Sequence, residues 1–333
     1  MTDLSELVDL AAEALGGTVI AANDEFFAPK EALLKTMPAE WREGVYTERG
    51  KWMDGWETRR RRTPGYDWAV IHLGAPGLVR GVVIDTAFFR GNYPESASIE
   101  ACDADGTPTP EELMSASTTW RTILPQSPLR GDTKNVFVVD DASRVTHLRL
   151  NIFPDGGVAR LRVFGDVHPV IVADADASID LAAIENGGYS VVCSDMFFGH
   201  RQNLIMPGRS THMGNGWETQ RRRGPGHDWT IIRLGQPGAV ESVELDTDHY
   251  KGNAPDSCML EGCNLPDATA EALTDPSLRW TEIVPPSKLQ PHTRHHFIAN
   301  PGTPCTHVRL NIYPDGGVAR LRLYGRRAVA IAG

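Results

Sequence analysis

The sequence contains one module written twice, and this repeat limits the folds that the chain can adopt. NIFPDGGVARLRVFG, at residues 151–165, recurs as NIYPDGGVARLRLYG at residues 311–325. GWETRRRR, which begins at Gly55, recurs as GWETQRRR from Gly216. Long matches in the same order indicate two tandem copies of one structural unit.

The repeat also sets the domain boundaries. We predict copy one over residues 1–166 and copy two over residues 178–333, joined by a linker at residues 167–177. Each copy has the length of an ordinary domain that can bury its own hydrophobic core.

The two copies differ in length near their amino-terminal ends. Asp9 and its counterpart Asp180 are 171 positions apart, whereas Gly55 and Gly216 are 161 positions apart. Copy one therefore carries about ten extra residues, because internal repeats place such differences in loops. We expect this insertion between Asp24 and Gly55, around residues 32–41.

Hydrophobic periodicity within each copy is mostly that of β-strands. Apolar and polar side chains alternate at residues 148–152 and 159–163, and PDGG at residues 154–157 has the chemistry of a hairpin turn. Further strand candidates in copy one are residues 18–22, 68–73, 79–86, 97–101, 120–124 and 136–139. About eight strands in each copy predict a mainly β fold, a jelly roll or a related sandwich.

Helices are expected to be few. Apolar residues at Leu4, Leu7, Val8, Ala11 and Leu15 follow helical spacing and predict a helix over this segment. Short helices are also predicted at residues 110–116 and 268–273.

Charge and cysteine content exclude several classes of protein. A net charge of -10 opposes nucleic-acid binding, despite the arginine run at residues 59–62. No apolar run approaches the ~18 residues of a membrane helix, and residues 1–15 lack the basic start of a secretory signal. Five cysteines without CxxC spacing predict reduced thiols and a cytoplasmic location.

Three segments that occur in both copies resemble the allantoicase family. They are GWETxRRR, the DW and LGxPG stretch that follows it, and the NI(F/Y)PDGGVARLR ending. YTERGKWMDGWE at residues 46–57 is also similar to that family. The resemblance covers nearly the whole chain. It implies two jelly-roll domains of the galactose-binding-like type, hydrolysis of allantoate to ureidoglycolate and urea in purine catabolism, and a homo-oligomer.

The implied substrate determines which side chains are needed. Allantoate carries one carboxylate and two ureido groups on one carbon, so its site must bind an anion, hydrogen-bond amides and move protons. The planar fork of arginine suits the carboxylate. The predicted substrate-binding residues are Lys51, Arg59, Arg61, Asp67, Asn92 and Arg222.

A carboxylate can activate water or protonate departing urea. Glu57 is the first candidate for this role, and Glu218 is its counterpart in copy two. Asp54 is a further candidate, although copy two has Asn215 at the aligned position. If Asp54 is catalytic, copy one holds the working site.

Other interpretations stay open at this point. Part of the arginine run can be solvated or salt-bridged surface, and Glu57 can be the internal partner of an arginine. His292, His295 and His296 cluster, but their aligned residues in copy one are not a ligand set, so we predict no metal site and no required cofactor. Stimulation by a divalent metal such as Mn²⁺ is left open. The alternative function is a non-catalytic tandem module that binds carbohydrate.

Overall fold

The chain divides into two compact units, Met1–Pro169 and Val170–Gly333. The computed structural model describes residues 4–104, 106–169, 177–300, 302 and 304–328. The predicted linker at residues 167–177 lies largely outside these ranges, so its boundaries stay a prediction. Within them, no helix has both the length and the apolar character needed to cross a membrane.

The first unit is built almost entirely from strands. They are β1 (Val8–Asp9), β2 (Thr18–Ala22), β3 (Tyr46–Thr47), β4 (Gly50–Lys51), β5 (Trp56–Glu57), β6 (Asp67–Asp85), β7 (Ser96–Cys102), β8 (Arg121–Pro128), β9 (Lys134–Val138), β10 (Val145–Phe153), β11 (Gly157–Val158) and β12 (Arg160–Val167). Helix α1 (Pro110–Met114) and 3₁₀ turns at Leu4–Glu6, Glu13–Leu15 and Lys30–Leu34 complete the unit.

The second unit repeats this order except for one hairpin. Its strands are β13 (Ile179–Asp180), β14 (Tyr189–Cys193), β15 (Trp217–Glu218), β16 (Asp228–Asp246), β17 (Ser257–Cys263), β18 (Thr281–Lys288), β19 (Arg294–Ile298), β20 (Cys305–Tyr313), β21 (Gly317–Val318) and β22 (Arg320–Arg327). Helix α2 (Ala270–Thr274) and 3₁₀ turns at Ile184–Asn186, Arg201–Ile205 and Met213–Asn215 accompany them. The predicted mainly β fold in two repeats is confirmed.

Each unit is organised around one long strand. In the first unit, the sheet runs β1-β12-β6-β10-β7-β8, and β2 and β9 also pair with β6. The first part of β6 pairs with β10 and β2, and its last part pairs with β12 and β9, all antiparallel. The sequence predicted two separate strands here, but the chain continues through both without a break.

The predicted helix over residues 4–15 is wrong. This segment contains two 3₁₀ turns around β1, which pairs with the sheet edge at β12. The Asp9 Oδ1 accepts a hydrogen bond of 2.9 Å from the Val163 N–H. Leu10 and Ala11 are fully buried in this arrangement. Pairing with the sheet therefore buries the apolar side chains that the helical spacing had suggested.

The insertion in the first unit lies further along the chain than predicted. The Arg160 Nε donates to the Met37 carbonyl at 2.9 Å, and the Arg320 Nε donates to the Gly208 carbonyl at 3.3 Å. These matched contacts show that the two copies stay in register through Met37. The extra residues therefore come after the expected 32–41 segment has nearly ended, and they include the β3–β4 hairpin.

Candidate active site in the first repeat

A pocket of about 580 Å³ opens in the first repeat. Aromatic rings, two cations, one carboxylate and one amide line it. The lining residues are Phe27, Trp41, Gly50, Lys51, Met53, Glu57, Phe88, Arg90, Gly91 and Asn92. An apolar cavity with a few convergent polar groups is the usual form of a small-molecule site.

Glu57 is fixed from both sides of its backbone. It pairs with Gly157 of β11 and forms an isolated bridge to Ala28 on the other side. The Glu57 N–H donates to the Ala28 carbonyl at 3.2 Å. Because the main chain is held twice, its carboxylate has a defined place in the pocket.

Asn92 is held against the same structural turn. The Gly157 N–H donates to the Asn92 carbonyl at 2.7 Å, and the Asn92 Nδ2 donates to the Glu57 Oε1 at 2.6 Å. A Cβ on Gly156, whose φ is +138°, would lie 2.8 Å from the Asn92 carbonyl oxygen. The PDGG turn thus positions the amide beside the carboxylate.

The environment of Glu57 favours retention of a proton. Burial raises the pKa of Glu57, and the hydrogen bond from Asn92, which favours the charged form, opposes this rise in part. A carboxyl with a raised pKa can exchange protons with substrate more readily near neutral pH.

One wall of the pocket belongs to residues 38–53, which we call the insert loop. The Lys51 Nζ lies 4.1 Å from the centroid of the Trp41 ring. The Trp41 and Phe88 rings lie 5.7 Å apart. An ammonium over an indole face is attracted to it, so Trp41 helps to hold the cation at the pocket.

The opposite wall comes from the loop after β6. Phe88 has a left-handed backbone with φ of 68°, and its N–H donates to the Asp132 Oδ1 at 2.8 Å. The Arg90 Nε lies 3.0 Å from the Asp132 Oδ2, while 79% of the Arg90 side chain is exposed. Arg90 therefore presents its charge to solvent at the pocket.

Comparison with known proteins identifies the family. A family model described as "Allantoicase repeat" matches residues 8–168 and 179–328. The chain belongs to the allantoicase family. It is 47% identical to a probable allantoicase of Photobacterium profundum, with 97% of each chain covered. It is 48% identical to one of Pseudomonas aeruginosa, with 96% of each chain covered.

A solved structure agrees with this membership. The crystal structure of allantoicase from Saccharomyces cerevisiae superimposes with a TM-score of 0.81 at 36% sequence identity. The match covers 96% of this chain and 94% of the yeast chain. The two-repeat fold implied by the sequence resemblance is therefore that of an allantoicase.

Asp54 does not line the pocket, contrary to our expectation for a catalytic group. Its side chain is 6% exposed, with Oδ2 at 2.6 Å from an Arg160 nitrogen and Oδ1 at 2.9 Å from the Lys35 Nζ. Burial acts to raise the pKa of Asp54, but hydrogen bonds from Arg160, Lys35 and the Glu40 backbone hold it below its usual value. This ion pair ties the end of the insert loop to the sheet.

The arginines predicted to bind substrate have internal partners in the first repeat. Arg59 lies 2.7 Å from the Asp24 Oδ2, and Arg61 lies 2.6 Å from the Asp67 Oδ1. The Arg61 backbone N–H also donates to the Asp155 Oδ2 of the PDGG turn at 2.8 Å. None of Arg59, Arg61 and Asp67 is among the pocket-lining residues. The salt-bridged alternative describes them better.

The second repeat has an equivalent glutamate and asparagine pair, Glu218 and Asn253. Glu218 pairs with Gly317 and bridges to Gly199, as Glu57 does with its partners. The Asn253 Nδ2 donates to the Glu218 Oε1 at 2.5 Å. The insert loop is replaced here by the shorter segment 209–214, and His249 stands at the position of Phe88. The allantoicase repeats therefore share a carboxylate and amide pair but differ in the walls around it.

Sequence reasoning missed Trp41, Phe88 and Arg90. Trp41 lies in the segment that has no second-copy counterpart, so the repeat gave no guide to it. Arg90 aligns with Lys251, and this retained positive charge beside the Gly-Asn pair was a usable signal. Phe88 gave no signal, because its place depends on a backbone conformation that its sequence does not suggest.

Among the described residues, no group of three or more His, Cys, Asp or Glu side chains is arranged to hold a metal ion. Two of the three clustered histidines, His292 and His295, have separate partners. The His292 Nδ1 lies 2.7 Å from the Asp248 Oδ1, and the His295 Nε2 accepts from the Gln290 N–H at 2.9 Å.

Proposed function

We propose that the pocket of the first repeat hydrolyses allantoate to ureidoglycolate and urea. The observation that carries this proposal is the Glu57 and Asn92 pair, hydrogen-bonded at 2.6 Å in a pocket that also presents Lys51 and Arg90. The membership of the allantoicase family supplies the substrate.

Lys51 and Arg90 bind the substrate carboxylate in this proposal. Both line the pocket, and both are exposed enough to meet an entering anion. They take the role that the sequence had suggested for Arg59, Arg61 and Arg222. An arginine with much of its surface free can still offer a bidentate contact while one nitrogen lies beside Asp132.

Glu57 and Asn92 act on the ureido group and on water. The Asn92 side-chain carbonyl accepts a ureido N–H. The Glu57 carboxylate takes a proton from water, whose oxygen forms a bond to the central carbon of allantoate. The bond from that carbon to one ureido nitrogen breaks, and its electron pair stays on nitrogen. Glu57 returns the proton there, so urea leaves and ureidoglycolate keeps the new hydroxyl.

We further propose that no cofactor is required for this step. A carboxylate with a raised pKa can serve as both base and acid in succession. Two cations already neutralise the substrate charge, so a divalent ion such as Mn²⁺ would at most stimulate the reaction.

Direct assay tests the proposal. Purified protein is mixed with allantoate, and urea and ureidoglycolate are measured in equal amounts over time. If no urea is released above background, with or without added Mn²⁺, the proposed enzymatic function is wrong. A glycan-binding screen on the same preparation then tests the alternative, a carbohydrate-binding module.

A further inference from the structure

The arginine run of the second repeat borders a second cavity, which the proposed reaction does not use. This pocket has a volume of about 380 Å³. Arg221, Arg222 and Arg223 line it together with Gln220 and two aspartates, Asp195 and Asp228. We call it the arginine pocket.

Arg222 is committed to the fold. One of its guanidinium nitrogens lies 2.5 Å from the Asp228 Oδ1, and its backbone N–H donates to the Asp315 Oδ2 at 2.8 Å. Its Nε is buried without a hydrogen-bond partner. The middle arginine therefore anchors the segment while one of its donors stays unsatisfied.

Arg221 and Arg223, which flank it, are different. Both are exposed and both line the pocket. Neither forms an ion pair with a carboxylate anywhere in the described part of the chain. Two guanidinium groups thus border one cavity with their charge available.

The aspartates of the pocket are already satisfied. The Asp228 Oδ1 also accepts from the Ser194 hydroxyl at 2.9 Å, and the Asp195 Oδ2 accepts from the Gln220 backbone N–H at 2.6 Å. Three arginines and two aspartates leave one net positive charge, within a chain whose net charge is -10. A local excess of positive charge on an acidic protein attracts a single negative charge.

In the first repeat, an ion pair occupies the position that corresponds to the arginine pocket. Arg59, at the position of Gln220, lies 2.7 Å from the Asp24 Oδ2, and its guanidinium is 5.2 Å from the centroid of the Phe26 ring. Gln220 is neutral and exposed, so it makes no such ion pair with Asp195. Its amide is available to a ligand as a donor and an acceptor.

We propose that the arginine pocket binds a small monocarboxylate that also carries an amide or hydroxyl group. Arg221 and Arg223 meet the carboxylate, because the guanidinium fork matches two carboxylate oxygens. Gln220 pairs with the polar substituent. The single net charge favours a monoanion over a phosphate dianion. This site is separate from the Glu57 pocket and does not depend on its chemistry.

Calorimetric titration of the full chain tests the proposal with three probes. N-acetylglycine carries a carboxylate and an amide, N-acetylglycinamide carries the amide without the charge, and inorganic phosphate is an anion without a carboxylate. We compare the wild type with R221Q/R223Q and with R60Q/R62Q, the aligned pair of the first repeat. Loss of one charge-assisted hydrogen bond is expected to weaken binding about tenfold or more.

The expected result is a rise of at least tenfold in the Kd of N-acetylglycine in R221Q/R223Q, and little change in R60Q/R62Q. Equal Kd values in all three proteins, or equal binding of the neutral probe, would overturn the site. Tighter binding of phosphate would overturn the carboxylate assignment. If R221Q/R223Q fails to fold, the single variants R221Q and R223Q serve instead, and each should raise the Kd of N-acetylglycine because it removes one guanidinium contact.

Discussion

The Asn92 Nδ2 lies 2.6 Å from the Glu57 Oε1, and the two residues are fixed by one turn. Both contact Gly157, Glu57 through strand pairing and Asn92 through its carbonyl. The same turn therefore positions both the carboxylate and the amide. This coupling makes the pair the first target for substitution.

Glu57→Gln should lower kcat for allantoate by ~10² or more, because it removes the group that exchanges protons. The shape of the pocket is kept. Urea release under saturating substrate measures the effect. Glu218→Gln is the matched control in the second repeat and should stay within a few-fold of wild type; the reverse order would move the active site to the second repeat.

Asn92→Ala should shift the acidic limb of the pH–rate profile to higher pH. Asn92 donates to the carboxylate and so lowers the pKa of Glu57, against the rise caused by burial. Without it the carboxyl holds its proton to higher pH, and the basic form is lost earlier as pH falls. The profile of kcat/KM reports this pKa, and Asn253→Ala should leave the limb in place.

Phe88→Gly should lower activity without lowering stability. Phe88 has φ of 68°, and a left-handed backbone costs a bulky residue about 1–2 kcal/mol that glycine avoids. The pocket loses the ring beside Trp41, so KM should rise about tenfold.

His249→Gly is the control, since His249 has φ of 70° at the same place in the second repeat. It should relieve similar strain and leave KM unchanged. Thermal denaturation and steady-state kinetics on both variants are compared. A parallel fall of Tm and activity in Phe88→Gly alone would indicate a packing role instead.

Asp54→Asn should lower stability by about 3–5 kcal/mol, because it leaves the buried guanidinium of Arg160 without its carboxylate. The insert loop should then bind substrate less well, so KM should rise more than kcat falls. Denaturant unfolding and kinetics separate the two effects. A large fall in kcat with unchanged stability would restore Asp54 as a catalytic group.

Treatment with EDTA should leave a basal rate of urea release. The Glu57 mechanism uses protein groups alone, and the cations at the pocket are Lys51 and Arg90. Dialysis against EDTA followed by readdition of Mn²⁺ measures the dependence. Complete loss of turnover that Mn²⁺ restores would contradict the proposal.

The repeat made most of the fold predictable. Alternation at residues 148–152 and 159–163 identified strands β10 and β12. The hairpin expected from PDGG is wrong, because β10 and β12 pair with different parts of β6 and the turn leads into β11, which pairs with β5. The helix predicted at residues 4–15 failed because helical spacing and burial against a sheet edge satisfy the same apolar residues. Periodicity cannot separate these outcomes when the pairing partner lies far along the chain, as β12 does from β1.

The candidate site was only partly predictable. Residue type and repetition identified Glu57 and Asn92, and the structure brings them together. The same reasoning chose Asp54 and Arg61, whose partners Arg160 and Asp67 are matched by tertiary contacts rather than by sequence pattern. Charge alone does not tell a binding group from one already neutralised inside the protein.

The insert loop changes no strand pairing at Glu57. The two repeats share this pairing, and they also share the hydrogen bond from the asparagine to the glutamate. Each repeat therefore holds its own hydrogen-bonded carboxylate and amide pair, and only the first repeat adds the insert loop beside it. Grafting residues 38–53 between Gly208 and Asn215 would place the insert loop beside the Glu218 and Asn253 pair. Transfer of this loop is thus a route to a chain with the same kind of pocket in both repeats.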